Sequence, residues 1–136
     1  MLIVLDTNVI VSALINPYGV PGSILSLMID EKLTLCYDAR ILLEYEEVLC
    51  RPKFRFDSEH VLVLLSVIRE NGQAVIASAA LIASVTDRDD QPFAQVAKAS
   101  NASYLITGNS GHFPNRIGDT KVVSPSVFIK HCFKNS

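Results

Sequence analysis

Along the chain, apolar runs of strand length alternate with segments whose apolar residues recur at helical spacing. The first run, Leu2 to Leu5 in "MLIVLDTNV", is uninterrupted, which is the pattern of a buried strand. The turn residues Asn16, Pro17, Gly19 and Pro21-Gly22 then lead into a helical region around "GSILSLMIDEKL", and Leu33 to Tyr37 form a second strand. In "DARILLEYEEVLCRP", Asp38 stands at the N-cap, Ile41, Leu42, Tyr45, Val48 and Leu49 fall at helical spacing, and Pro52 stops the helix. "SEHVLVLLSVIREN" begins at Ser58 and has Gly72 just beyond it, so a capped helix precedes a third strand near Ala74 to Ala77. After the acidic loop "TDRDDQP", "FAQVAKAS" reads as helix, "SYLITG" as a fourth strand and "KVVSP" as a fifth. "SPSVFIKHCF" is a terminal helix with Pro125 in its first turn.

Strands and helices taking turns in this way predict an α/β fold, with a mainly parallel sheet and helices on both faces. No repeat or low-complexity linker divides the chain, and residues 1–136 are expected to form one domain. An apolar content of 49% in 136 residues suffices for one substantial core and disfavours disorder. The formal charge of -2 supplies no global positive field, so any contact with nucleic acid must be local.

The apolar stretches break well before the roughly 18 residues of a membrane span. The first fifteen residues lack Lys and Arg and contain Asp6 and Asn8, which does not fit a secretory signal. Cys36, Cys50 and Cys132 are odd in number and without metal spacing, as expected of free thiols in a reducing compartment. A cytoplasmic protein without membrane association is the expectation.

In open α/β sheets, ligands collect where strands end. Asp6 ends the first strand, Asn109 follows the fourth in "LITGN", and Asp87, Asp89 and Asp90 lie between the third strand and the next helix. Glu44 sits in mid-helix, between core candidates. Each has a plain structural alternative: capping for Asp6, a solvated loop for Asp87 to Asp90, a surface position for Glu44. Taken together they point elsewhere. Carboxylates gathered without His or Lys repel one another and raise each other's pKa unless a cation neutralises them. Oxygen ligands favour Mg²⁺ or Mn²⁺, which can activate water for in-line attack on a phosphodiester.

The ordered set "LDTNVIVSAL", "ILLEYEEVLCRPKF", "DRDDQPFAQVA" and "YLITGNSGHFP" resembles a PIN domain, and more closely the group of toxin components of toxin–antitoxin pairs. The resemblance runs nearly the whole chain. It implies a three-layer α/β/α sandwich and a ribonuclease dependent on Mg²⁺ or Mn²⁺. By position Asp6, Glu44 and Asp90 match the family's metal-site carboxylates. Asn8 and Thr107 match polar positions that shape the site, with local turn formation as the alternative. Implied partners are an RNA substrate, a cognate antitoxin laid over the acidic groove, and a second copy in a homodimer.

One position departs from the pattern. Asn109 stands where PIN nucleases commonly carry a fourth acidic residue, which lowers the expected metal affinity, with Asp87 or Asp89 near enough to compensate in part. His112 in "GHFP" reads as a phosphate contact or as a loop residue without a catalytic part. For substrate, "RPKFRF" interleaves Arg51, Lys53 and Arg55 with Phe54 and Phe56, which suits phosphates and stacked bases of single-stranded RNA. A phosphatase of the haloacid dehalogenase type would need a second Asp where Asn8 stands, and a nucleotide-binding loop would need glycine between Leu5 and Val11. The serious rival is a catalytically weak or inactive domain of the same fold that acts by binding a protein partner.

Overall fold

Strand β1 (Leu2–Leu5) lies inside a six-stranded sheet, and its position explains its unbroken apolar sequence. The computed structural model describes residues 1–133. With β2 (Thr34–Tyr37), β3 (Gln73–Ala74), β4 (Tyr104–Ile106), β5 (Arg116–Ile117) and β6 (Thr120–Val123), the strand order is β3-β2-β1-β4-β6-β5. All neighbours run parallel except the β5–β6 pair. Ile3, Val4 and Leu5 are almost fully buried because helices cover both sides of a parallel sheet.

Helices α1 (Thr7–Ile15) and α2 (Val20–Ile29) connect β1 to β2, and α3 (Ala39–Leu49) and α4 (Ser58–Asn71) connect β2 to β3. Helix α5 (Gln91–Ser100) then carries the chain back across the sheet to β4, and α6 (Pro125–Phe133) follows β6. The first two crossovers move one way along the sheet and the third moves the other way. Right-handed connection therefore puts α5 on the face opposite the earlier helices, where it packs on β1, β2 and β4. The result is a three-layer α/β/α sandwich whose topological switch falls between β1 and β4. Helix α3 touches both α1 and α5 and so borders that switch point.

Two local differences from the pattern have simple causes. The third strand is Gln73–Ala74 rather than Ala74 to Ala77: after the Val75 N–H donates to the Tyr37 carbonyl (2.8 Å), β2 has ended and offers no further partner. The antiparallel strand β5 is two residues long, too short to leave an alternating signature, and its turn uses Gly118 at φ 58°. At the start of α4, Asp57 is the N-cap, accepting the Glu59 N–H at 2.8 Å, and Ser58 is the first helical residue. Gly22 lies within α2, where a Cβ would come 2.1 Å from the Pro17 carbonyl oxygen.

Candidate active site

Three aspartates stand at the N-caps of α1, α3 and α5, and only one of them caps. Asp38 accepts the Ile41 N–H, as N-cap residues commonly do. Asp6 and Asp90 make no side-chain cap bond although they precede α1 and α5. Both carboxylates lie at the switch point instead, where burial acts on each and the charge of Asp6 acts on Asp90.

The sheet register builds the surroundings of Asp6. Leu5 pairs with Ile106, so the next residues, Asp6 and Thr107, also come together. The Asp6 N–H donates to the Ile106 carbonyl (2.9 Å), and the fully buried Thr107 hydroxyl donates to Asp6 Oδ2 at 2.7 Å. Thr107 Oγ1 in turn accepts the Asn109 N–H (3.0 Å), while Asn8 spans the gap, its Nδ2 3.4 Å from Asp6 Oδ2 and its Oδ1 accepting the Gly108 N–H at 3.0 Å. From the helix side, the buried Tyr45 hydroxyl donates to the Leu5 carbonyl at 2.6 Å, which fixes α3 against the end of β1. Its neighbour Glu44 accepts a hydrogen bond from the Thr7 hydroxyl through Oε2. Four segments thus present oxygen atoms at one sheet edge.

Burial is the main cause that raises the Asp6 pKa, opposed by the Thr107 hydroxyl, the Thr7 N–H and the charge of His112. Burial also raises Glu44, against the Thr7 hydroxyl and with the charges of Asp6, Asp89 and Glu47. Asp90 is pushed up to about 6 by burial and by Asp6 and Asp87. Its Oδ2 is buried without a hydrogen-bond partner, with His112 Nδ1 nearby at 3.6 Å. The cluster therefore does have a histidine neighbour, where the sequence pattern showed carboxylates without one. Among the described residues no three His, Cys, Asp or Glu side chains stand close enough to hold an ion as placed. The donor chemistry nevertheless fits a hard divalent cation: oxygen atoms only, three raised carboxyl pKa values and one orphaned buried oxygen.

Asn109 is exposed, and its tie to the cluster runs through its backbone N–H. Asp87 is exposed, and its Oδ1 accepts the Asp89 N–H at 2.9 Å, a turn that shapes the approach to Asp90. The basic segment lies elsewhere. Phe56 borders a cavity with Leu14 and Pro17, about 10 Å down α1 from Thr7 at 1.5 Å per residue. Arg51 pairs with Glu47 at 2.9 Å, Lys53 lies 5.0 Å from the Phe54 ring centre, and Phe54 stacks on Phe56 at 5.4 Å. Sequence reasoning passed over Thr7 and Tyr45; the hydroxyl beside Asp6 in "DTN" was the available signal for the first.

Chain comparisons place this geometry among known proteins. The family model described as PIN domain matches residues 2–111. Over 109 residues the chain is 35% identical to MJ1680 of Methanocaldococcus jannaschii, an uncharacterized protein, covering 79% of this chain and 70% of that one. The structure of VapBC2 from Rickettsia felis bound to a DNA fragment from their promoter superposes with a TM-score of 0.57 at 20% identity, covering 91% of this chain and 98% of that chain. At that identity the likeness is one of fold. PIN domains are generally nucleases, and PIN nucleases generally use divalent metals. On the family match and the identity to its archaeal relative, the chain belongs to the PIN domain family.

Proposed function

We propose that this chain is an endoribonuclease that uses Mg²⁺ or Mn²⁺ held by Asp6, Glu44 and Asp90, and that it serves as the toxin of a toxin–antitoxin pair. The observation that carries this reading is the pair of N-cap aspartates that forgo capping and gather at the switch point, with Asp90 Oδ2 left buried without a hydrogen bond. Such an arrangement costs stability and is kept where a ligand repays it.

When bound, the cation would supply polarisation of water and neutralisation of charge developing on a phosphate. The chain's own groups do the positioning. Thr107 and Asn8 hold Asp6 in one orientation, Thr7 holds Glu44, and Tyr45 locks the helix that carries it. His112, beside Asp90, offers an N–H or a positive charge to a phosphate oxygen. Arg51, Lys53 and Arg55 would meet the RNA away from the cut bond, with Arg51 exchanging its contact to Glu47 for a phosphate. That VapBC2 is a toxin–antitoxin complex of the same fold supports a protein partner, which in this proposal lies over the acidic edge of a homodimer.

A second reading rests on Asn109, which leaves the family's fourth acidic position neutral: a weak or silent nuclease that acts through its partner. The two are separated by incubating the purified chain with single-stranded RNA and Mg²⁺ or Mn²⁺. Cleavage lost in Asp6→Asn and Asp90→Asn and retained in Glu47→Gln supports the nuclease. Asn109→Asp should then lower the metal concentration needed for half-maximal cleavage. Absence of cleavage at any metal concentration, with the partner still bound, supports the second reading.

A further inference from the structure

Beside the carboxylates, the acidic loop and the loop after β4 enclose a cavity of about 400 Å³ that the reaction outlined above does not use. Two of its walls are shared with the site. His112 lies 3.6 Å from Asp90, and the charge of Asp87 acts on Asp90. The remaining walls differ in kind: the exposed hydroxyls of Ser84 and Thr86 form a polar side, and Phe113 with Pro114 forms an apolar one. A flat ring with apolar faces and a polar edge matches such a lining. The volume is near the lower end of the about 300–1,000 Å³ typical of small-ligand pockets, which suits one base and excludes a duplex. Proteins that read single-stranded RNA splay bases into pockets of this kind.

We infer that this cavity receives one nucleobase next to the scissile phosphate and favours a base carrying an exocyclic amine over uracil. The inference rests on the ribonuclease reading and names its substrate preference. A base seated between Phe113 and the Ser84 and Thr86 hydroxyls holds its own phosphate near His112, and hence near Asp90. Selectivity comes from Asp87. Its Oδ1 accepts the Asp89 N–H, which leaves Oδ2 as the acceptor for a base in the cavity that Asp87 lines. A carboxylate accepts from the exocyclic amine of cytosine, adenine or guanine, whereas uracil carries only carbonyl oxygens outside its ring. The two hydroxyls can donate or accept and adapt to any of the three.

Gly111 provides a test that leaves the carboxylates untouched. It lines the cavity, and a Cβ built there meets nothing within 4 Å, so Gly111→Phe can place a ring at the cavity without a clash at Cβ. The substrates are short oligonucleotides with one ribonucleotide, and therefore one cleavable linkage, in which the base on each side is varied in turn among the four bases and an abasic site. For wild type, on one side of the linkage, amine-bearing bases should be cut about tenfold faster than uracil or the abasic site. Gly111→Phe should bring the amine-bearing substrates down to the abasic rate and leave that rate unchanged, and the double variant Ser84→Ala with Thr86→Ala should slow the base-bearing substrates while keeping their order. Equal wild-type rates for all bases on both sides would overturn the inference, as would a loss in Gly111→Phe that is equally large on the abasic substrate.

A binding measurement separates this failure from failure of the nuclease reading. Cytidine 5′-monophosphate and uridine 5′-monophosphate are titrated, without metal, into labelled protein while amide resonances are followed. Larger shifts at Ser84, Gly111 and Phe113 with the cytidine nucleotide uphold the pocket even in a chain that cuts no RNA. Unmoved resonances there reject it even in a chain that does.

Discussion

Asp90 spends its side chain on neither capping nor a hydrogen bond through Oδ2, and this makes it a titratable liability of the folded state. Its pKa rises from 3.8 to about 6, so between those values the folded chain holds a proton that the unfolded chain has released. Stability is then full below the lower value and declines as pH rises through the upper one. Asp6 and Glu44 shift in the same direction. The metal-free melting temperature should therefore fall across this window, and Asp90→Asn should flatten the fall and melt above wild type at neutral pH. A profile for Asp90→Asn that overlies the wild type would mean that the carboxylate is not under repulsion. Thr107→Val works in the opposite sense. It removes the 2.7 Å hydrogen bond to the Asp6 carboxylate without opening a cavity, and should cost about 1.5–3 kcal/mol in urea unfolding at neutral pH, less once Asp6 is protonated. Equal costs at both pH values would assign Thr107 a packing role only.

Among elements, α5 fastens the irregular stretch that leads to the acidic loop. Two buried glutamines do this. Gln91 accepts the Ile82 N–H (2.9 Å) and donates to the carbonyls of Ile82 (2.9 Å) and Val85 (2.6 Å), and Gln95 donates to the Ala80 carbonyl at 3.1 Å while accepting from Arg40 of α3 at 2.7 Å. These side chains stand in for the strand that the segment lacks after Val75. Gln91→Leu keeps the buried bulk but strands two backbone groups, the Ile82 N–H and the Val85 carbonyl, at about 1–3 kcal/mol for each left unsatisfied, while the Ile82 carbonyl keeps the Val85 N–H. Amide exchange at Ile82 should speed up and proteolysis should concentrate in residues 78–90, with exchange in β1 and β4 unchanged. Protection lost evenly across the sheet would instead make Gln91 part of the global core.

For the whole molecule, the acidic edge ties stability to cations. Helices α1 and α5 bring their N-termini to the place where burial raises the pKa values of Asp6, Glu44 and Asp90 and the charge of Asp6 adds to the rise of the other two. A ligand that binds only the folded state raises the melting temperature by mass action. Millimolar Mg²⁺ or Mn²⁺ should do so above pH 6 and lose most of the effect near pH 4, where protons already neutralise the cluster. A melting temperature indifferent to metal at neutral pH would count against a cation site here. No single helix among the described residues is long and apolar enough to cross a membrane.

Residue order alone determined the kinds of element and the edge at which polar groups collect. Four apolar residues in a row before Asp6 require a strand covered on both faces, Asp38 three residues ahead of the Ile41 N–H announces a helix start, and alternation of strand and helix fixes the layered architecture. These are short-range facts, written in neighbours. Which of the N-cap aspartates would cap was not legible, because the groups that draw Asp6 and Asp90 away stand across the fold. Thr107 is 101 positions from Asp6, and His112 reaches Asp90 only once the loop after β4 has folded back. The basic segment shows the same limit. Its composition suits RNA, but the course of α3 and the packing of Phe56 by the far end of α1 set it apart from the carboxylates. Periodicity encodes which face of an element is buried. What stands opposite that face is decided by strand register and crossover handedness, and these exist only in the assembled sheet.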